Sequence, residues 1–156
     1  MTLKIRKYQE EDCLSTIQLF RETVLYVNIK DYSEEQVQAW VGHELDPVTW
    51  NNSLKNNYSV VAIKDNIIVG FGDMDKSGYL DRLFVHKDYQ GQNIAAKIMI
   101  NLESYVNTSK FTSHVSITAK PLFENQGYHV VKDNLVKVRG VTMKNFIMEK
   151  DNSYHN

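Results

Sequence analysis

With 156 residues and one cysteine, Cys13, the chain has the size of a single domain, 1–156, that buries one core without disulfides or structural zinc. Its 42% hydrophobic and 24% charged residues exclude a disordered chain. Eighteen basic against nineteen acidic residues exclude a broad electrostatic grip on nucleic acid or anionic lipid, so any basic site must be local.

The segment Met1 to Lys7 has no apolar stretch of signal-peptide length, and no later run approaches a membrane span, so the expected location is the cytoplasm. Leu3 to Tyr8 alternates apolar and polar residues, as a half-buried strand does. Leu14, Ile17, Leu19, Phe20, Val24 and Leu25 then recur at helical spacing, with Glu10, Glu11 and Asp12 complementing the dipole at the helix start. Cys13 falls on this helix as a small buried residue. Ser33 and Gln36 form a capping box that opens a second helix through Val37, Trp40 and Val41. Asp46-Pro47 starts a third, through Trp50 and Leu54. Val60, Val61 and Ile63, then Ile67 to Val69, flank the turn-prone Lys64-Asp65-Asn66 as an antiparallel hairpin. Tyr79 to Val85 adds a third strand. A helix is expected from Gln90, with Ile94, Ala95, Ile98, Met99, Leu102, Tyr105 and Val106 on one stripe. Val115 to Thr118 reads as a short strand, and Pro121 to Gln126 as a short helix with Gly127 past its end. Tyr128 to Val131, Leu135 to Val138 and Met143 to Met148 read as strands. This order describes an α+β fold, a mixed sheet with helices on its faces.

Gln90-Gly91-Gln92-Asn93-Ile94-Ala95 lies at a strand-to-helix junction, where unpaired N–H groups and the helix dipole make an anion site suited to a pyrophosphate. Leu83 to Tyr89 leads into it, and Ser116 to Tyr128 follows beyond the amphipathic helix. These stretches resemble the acetyl-coenzyme A signature Q/R-x-x-G-x-G/A, its lead-in strand L-x-V-x-P-x-Y/F, and the N-x-x-A-x-x-x-Y-E-K-x-G-F segment of the GNAT N-acetyltransferase superfamily. The likeness covers nearly all of the chain beyond Val60. Asn93 stands at the usual central glycine and Lys87 at the frequent proline. Ser116 replaces an asparagine that touches the cofactor, and Phe123 a tyrosine that protonates the departing thiolate. Arg139 to Phe146 resembles the ending of a small bacterial subgroup of unassigned substrate.

The resemblance implies transfer of an acetyl group from acetyl-coenzyme A to a primary amine by direct attack in a ternary complex, on a GNAT-like, mostly antiparallel sheet flanked by helices on both faces. It places Gln90, Gly91, Gln92, Asn93, Ile94, Ala95 and Ala96 around the pyrophosphate, Leu83, Phe84 and Val85 beside the pantetheine, and Ser116 and Phe123 near the thioester. No metal is implied. An attacking amine must lose a proton, and Asp81, in phase with Tyr79, Leu83 and Val85 by strand alternation, is the candidate base; a strand residue paired with Arg82 is the alternative. Tyr128 and Tyr79 are weak candidates to protonate the thiolate, Tyr128 reading first as a substitute for the family's core phenylalanine. Trp40, Tyr26, Tyr32 and Trp50 fall where the family walls its acceptor pocket, or in the core. Arg139 either binds an acidic group of the acceptor or forms an ordinary ion pair. His43, His86, His114, His129 and His155 show no metal-ligand spacing. The expected partner is a small-molecule or peptide amine, with no nucleic acid or membrane, for a monomer or homodimer. A non-catalytic acyl-coenzyme A binding or sensing module is the alternative. A nucleotide-binding domain built on the Gly91 loop would lack both G-x-G-x-x-G and Walker patterns.

Overall fold

The computed structural model describes residues 2–153, so His155 lies outside the described residues. Strands β1 (Lys4–Lys7), β2 (Tyr58–Lys64), β3 (Ile67–Met74), β4 (Tyr79–Val85), β5 (Lys110–Ser116), β6 (His129–Val138) and β7 (Val141–Asp151) form one sheet in the order β1-β2-β3-β4-β5-β7-β6. Every pairing is antiparallel except that of β4 with β5. The helices are α1 (Cys13–Tyr26), α2 (Glu34–Val41), α3 (Pro47–Asn56), α4 (Ile94–Tyr105) and α5 (Lys120–Asn125).

Strand alternation sorts the core into two layers. Val60, Ala62 and Val69 pack with Ile98, Met99 and Leu102 of α4 and Phe123 of α5. Val61 and Phe71, from the same strands, pack on the opposite face with Ile17, Phe20 and Val24 of α1, Val37 of α2 and Leu54 of α3. Gly70 and Gly72 allow α4 to lie close, since a Cβ there would meet Ile98 atoms at 2.9 and 3.0 Å.

The local signals explain the boundaries. Ser33 Oγ accepts from the Gln36 amide at 3.1 Å while Gln36 Oε1 accepts from the Ser33 amide at 2.8 Å, closing the capping box of α2. Asp46 accepts from the Val48 amide at the start of α3, with Pro47 in the first turn. Asp65 and Asn66 both take positive φ, as the two-residue turn between β2 and β3 requires. Arg139 and Gly140 do the same between β6 and β7.

Three boundaries depart from the sequence expectation. Helix α4 starts at Ile94 rather than Gln90, because Gly91 and Asn93 hold left-handed φ values of 74° and 63° that no helix continues. Strand β5 runs over Lys110–Ser116 rather than 115–118: its inward positions are Phe111, Ser113 and Val115, and Ser113 disguises the alternation. It ends where Ser116 Oγ accepts from the Ala119 amide at 3.1 Å. The two runs expected at 128–131 and 135–138 are one strand, β6, whose register shifts near Val131, an exposed extra residue.

Candidate active site

Strands β4 and β5 are hydrogen-bonded at two positions only, Tyr79 with Thr112 and Leu80 with Ser113. Beyond these they diverge, β4 continuing to Val85 and β5 to Ser116. The bend originates in a bulge. Asp73 of β3 faces Arg82 while its neighbour Met74 faces Leu80, leaving Asp81 as an extra residue on β4. Asp73, with no exposed surface, fixes this geometry: its carboxylate accepts from the Arg82 amide at 2.9 Å and from the guanidinium at 2.6 to 3.2 Å. Ser53 takes a further guanidinium bond at 2.7 Å, and Trp50 lies under the same group at 5.1 Å. The bulge also resets the alternation. Leu80, Leu83 and Val85 share the α4 layer, so Asp81 loses the phase with Leu83 and Val85 that simple period-two counting gives it.

A cavity of about 450 Å³ occupies the divergence. The Arg82 and His86 amides donate toward β3, so by alternation those of Leu83 and Val85 face the opening. Phe84 turns its amide to β3 and contributes its ring to the cavity wall instead. The Val85 carbonyl accepts from Thr23 Oγ1 at 2.9 Å and from Gln90 Nε2 at 2.8 Å, so Gln90 fastens the loop to the end of the strand. A Cβ on Gly91 would meet nothing within 4 Å, which leaves the loop surface open above the start of α4. There the first amides, Ile94, Ala95 and Ala96, have no intrahelical partner. Gln92 is held by Lys64 at 2.8 Å, Asn93 caps without a side-chain bond, and the Ile94 side chain belongs to the core. Ala95, Ser116 and Phe123 line the cavity, and the Thr118 hydroxyl, which the sequence reading passed over, lies buried on its wall without a hydrogen-bond partner.

Tyr128 is not brought to this cavity. Its ring is 3% exposed and packs edge-on to Phe123 at 5.0 Å, while its hydroxyl donates to Glu103 at 2.7 Å. Burial first, and the Glu103 carboxylate second, push that phenol far above its ordinary range. Tyr79 also stays off the cavity wall, packed against His114, which does line it. No sequence spacing marks His114; its place follows from the parallel pairing of β5.

The end of the cavity remote from α4 is aromatic. Phe20, Tyr32, Trp40, Trp50 and Phe84 line it, with Val136, Val138 and Met143 of the β6–β7 hairpin across from them. Tyr32 ties the hairpin down: its hydroxyl donates to the Lys144 carbonyl at 2.8 Å and accepts from the Ile117 amide at 2.9 Å. Arg139 donates to the Ala39 carbonyl at 3.3 Å and Arg21 to that of His43, so both arginines serve the end of α2; Tyr26 is exposed beneath Lys87. Asp81 stands at the cavity rim, its side chain 44% exposed and 3.7 Å from Arg82. Burial raises its pKa, the Asp73 carboxylate raises it further, and Arg82 opposes both. Among the described residues no group of three or more side chains is placed to hold a metal, and no helix is long and apolar enough to cross a membrane.

Chemically, a strand edge with free amides leading to a helix start suits an extended, amide-bearing molecule that ends in phosphate. A profile of the Acetyltransferase (GNAT) domain matches residues 28–150. The sequence is 33% identical over 146 residues to the uncharacterized N-acetyltransferase YafP of Escherichia coli K12, covering 94% of each chain. A GCN5-related N-acetyltransferase from Rhodopseudomonas palustris superposes with a TM-score of 0.92 at 27% identity, covering 97% of each chain. PaiA N-acetyltransferase from Thermoplasma acidophilum, solved in complex with coenzyme A, superposes with a TM-score of 0.79 at 20% identity, covering 97% of this chain and 100% of that one. A domain match over most of its length, joined to a full-length relative at 33% identity, means that this chain belongs to the GNAT family of acetyltransferases.

Proposed function

We propose that the protein transfers an acetyl group from acetyl-coenzyme A to a primary amine by direct attack in a ternary complex. It acts in the cytoplasm as a monomer or homodimer, on a small-molecule or peptide acceptor and without nucleic acid. The observation that carries this reading is that the opening between β4 and β5 leads to a single carboxylate, Asp81, at the rim of the aromatic pocket. When bound, acetyl-coenzyme A supplies an acetyl group activated as a thioester. Gln90, Gly91, Gln92, Asn93, Ile94, Ala95 and Ala96 hold its pyrophosphate, and the Leu83 and Val85 amides align its arm. Phe84, Ser116 and Phe123 shape the walls around it.

Asp81 accepts a proton from the amine, directly or through one water, as the N–C bond forms and the C–S bond breaks. The Leu83 amide, the nearer of the two to Asp81 along the strand, stabilises the negative charge that develops on the carbonyl oxygen. Phe123 offers no proton, Tyr128 is committed to Glu103 and Tyr32 to Lys144, so no tyrosine serves as the acid and the thiolate takes its proton from solvent. Direct attack is supported by Cys13, the one cysteine, which is buried away from the cavity and donates to the Pro47 carbonyl.

Asp81→Asn tests the proposal. Acetyl-coenzyme A affinity is expected to persist while turnover falls by about 10² to 10⁴. The titratable and charged groups that act on Asp81 are Asp73, Arg82, Asp75 and His114. Because burial and Asp73 favour the protonated carboxyl, wild-type turnover should rise with pH through a value above the ordinary carboxylate range, and the variant should lose that limb. A near-normal rate in Asp81→Asn removes Asp81 from the mechanism. The missing tyrosine at Phe123 favours one competing reading, a binding module without chemistry, which predicts tight acetyl-coenzyme A binding with no turnover on any amine.

A further inference from the structure

We propose that the acceptor is a monocationic arylalkylamine, a primary amine borne on a short chain from an aromatic ring; this rests on the N-acetyltransferase reading and names its substrate class. Three observations converge on it. The acceptor end is walled by linked rings: Phe20 lies 4.9 Å from Phe84, 5.3 Å from Trp50 and 6.4 Å from Trp40, and Tyr32 lies 5.6 Å from Trp40. Unlike Phe71, a core ring that is 1% exposed, Trp40, Trp50 and Phe84 are only partly buried and border open space. Such walls favour a flat ring edge-on or offset, and the ring faces attract an ammonium.

Charge narrows the class further. Asp81 is the only acidic side chain among the described residues lining the cavity, so a second or third ammonium of a polyamine would find no carboxylate partner. An acidic acceptor fares no better. The Arg82 guanidinium is spent on Asp73 and Ser53, and Lys144 is paired with Asp133 at 3.3 Å over the Phe146 ring. What remains, besides the His114 imidazole, is one carboxylate beside a box of rings: a site for one amine on an aromatic body.

The protein carries its own reporter, because both of its tryptophans, Trp40 and Trp50, line the cavity. Wild-type protein saturated with coenzyme A is titrated with 2-phenylethylamine, spermidine and L-glutamate, following tryptophan emission and calorimetric heat. 2-Phenylethylamine should bind at least about tenfold more tightly than either competitor, with a change in emission. Trp40→Leu should weaken that binding by about tenfold and leave coenzyme A affinity unchanged. Equal or tighter binding of spermidine or glutamate by the wild type overturns the inference, whether or not the variant folds. Thiol release from acetyl-coenzyme A separates the two levels. If 2-phenylethylamine binds as expected but none of the three amines releases thiol, the transferase reading fails and the pocket assignment stands. If spermidine is acetylated faster than 2-phenylethylamine, the pocket assignment fails and the transferase reading stands.

Discussion

At Phe123 one atom separates this chain from the family pattern. The ring is 3% exposed, wedged between the cavity and Tyr128. In Phe123→Tyr a hydroxyl is taken into a buried position, so the free enzyme should lose about 1 kcal/mol or somewhat more, read by urea denaturation. With acetyl-coenzyme A bound, the same hydroxyl can protonate the leaving thiolate, and turnover should rise rather than fall. Tyr128→Phe gives the complementary result. It removes a hydrogen bond to a carboxylate that also holds Lys150 at 2.8 Å, so stability should fall by about 1.5 to 3 kcal/mol while turnover stays within about twofold. A rate loss of a hundredfold in a folded Tyr128→Phe would return that phenol to the chemistry. The left-handed backbone at Asn93 was legible in the sequence, because the motif it resembles has a glycine at that place. Tyr128 was not, since a tyrosine reads the same whether its hydroxyl meets a substrate or Glu103 on a helix distant in the chain.

The bulge on β4 is the element on which the site depends. Asp73 is wholly buried and Arg82 nearly so, and removing one partner of such a pair leaves an uncompensated charge. Asp73→Ala should cost about 3 to 5 kcal/mol in urea denaturation, several times the effect of a surface change. Ser33→Ala, which opens the capping box of α2, should cost about 1 kcal/mol. The two cases also mark what could be read in advance. A capping box is a local signal of two residues three apart, and α2 begins where it says. The bulge depends on Asp73 bonding across to the next strand, and counting along β4 alone puts Asp81 in the wrong phase. Strand β5 eluded detection at its start for a similar reason: buried Ser113 finds its partner in the Leu80 carbonyl at 2.7 Å, a contact that exists only once the sheet has formed.

Across the whole molecule, four antiparallel strands on one side meet three on the other along a join of two residue pairs. The order of elements and the layering on two faces were legible because apolar periodicity reports which face is covered. The divergence was not, because no periodicity reports how far two strands stay paired. A ligand bound at about 100 times its dissociation constant adds about 2.7 kcal/mol to the native state, and for a chain of 156 residues that corresponds to roughly 5 to 10 °C in melting temperature. Acetyl-coenzyme A should produce such a rise, and the Gly91→Asp variant should lose most of it. The join also sets how the protein comes apart. Besides its two pairs it is stitched by Ser113 to the Leu80 carbonyl and by the Thr112 amide to the Gly78 carbonyl at 3.0 Å. Sub-global opening should therefore begin there, with the amide of Thr112, which faces β4, exchanging deuterium well before those in the middle of β2 and β3. A cosubstrate lying along the Leu83 and Val85 edge spans both half-sheets, so it should slow exchange on β5 as well as on β4, converting the molecule's most readily parted boundary into one that opens only when the whole chain unfolds.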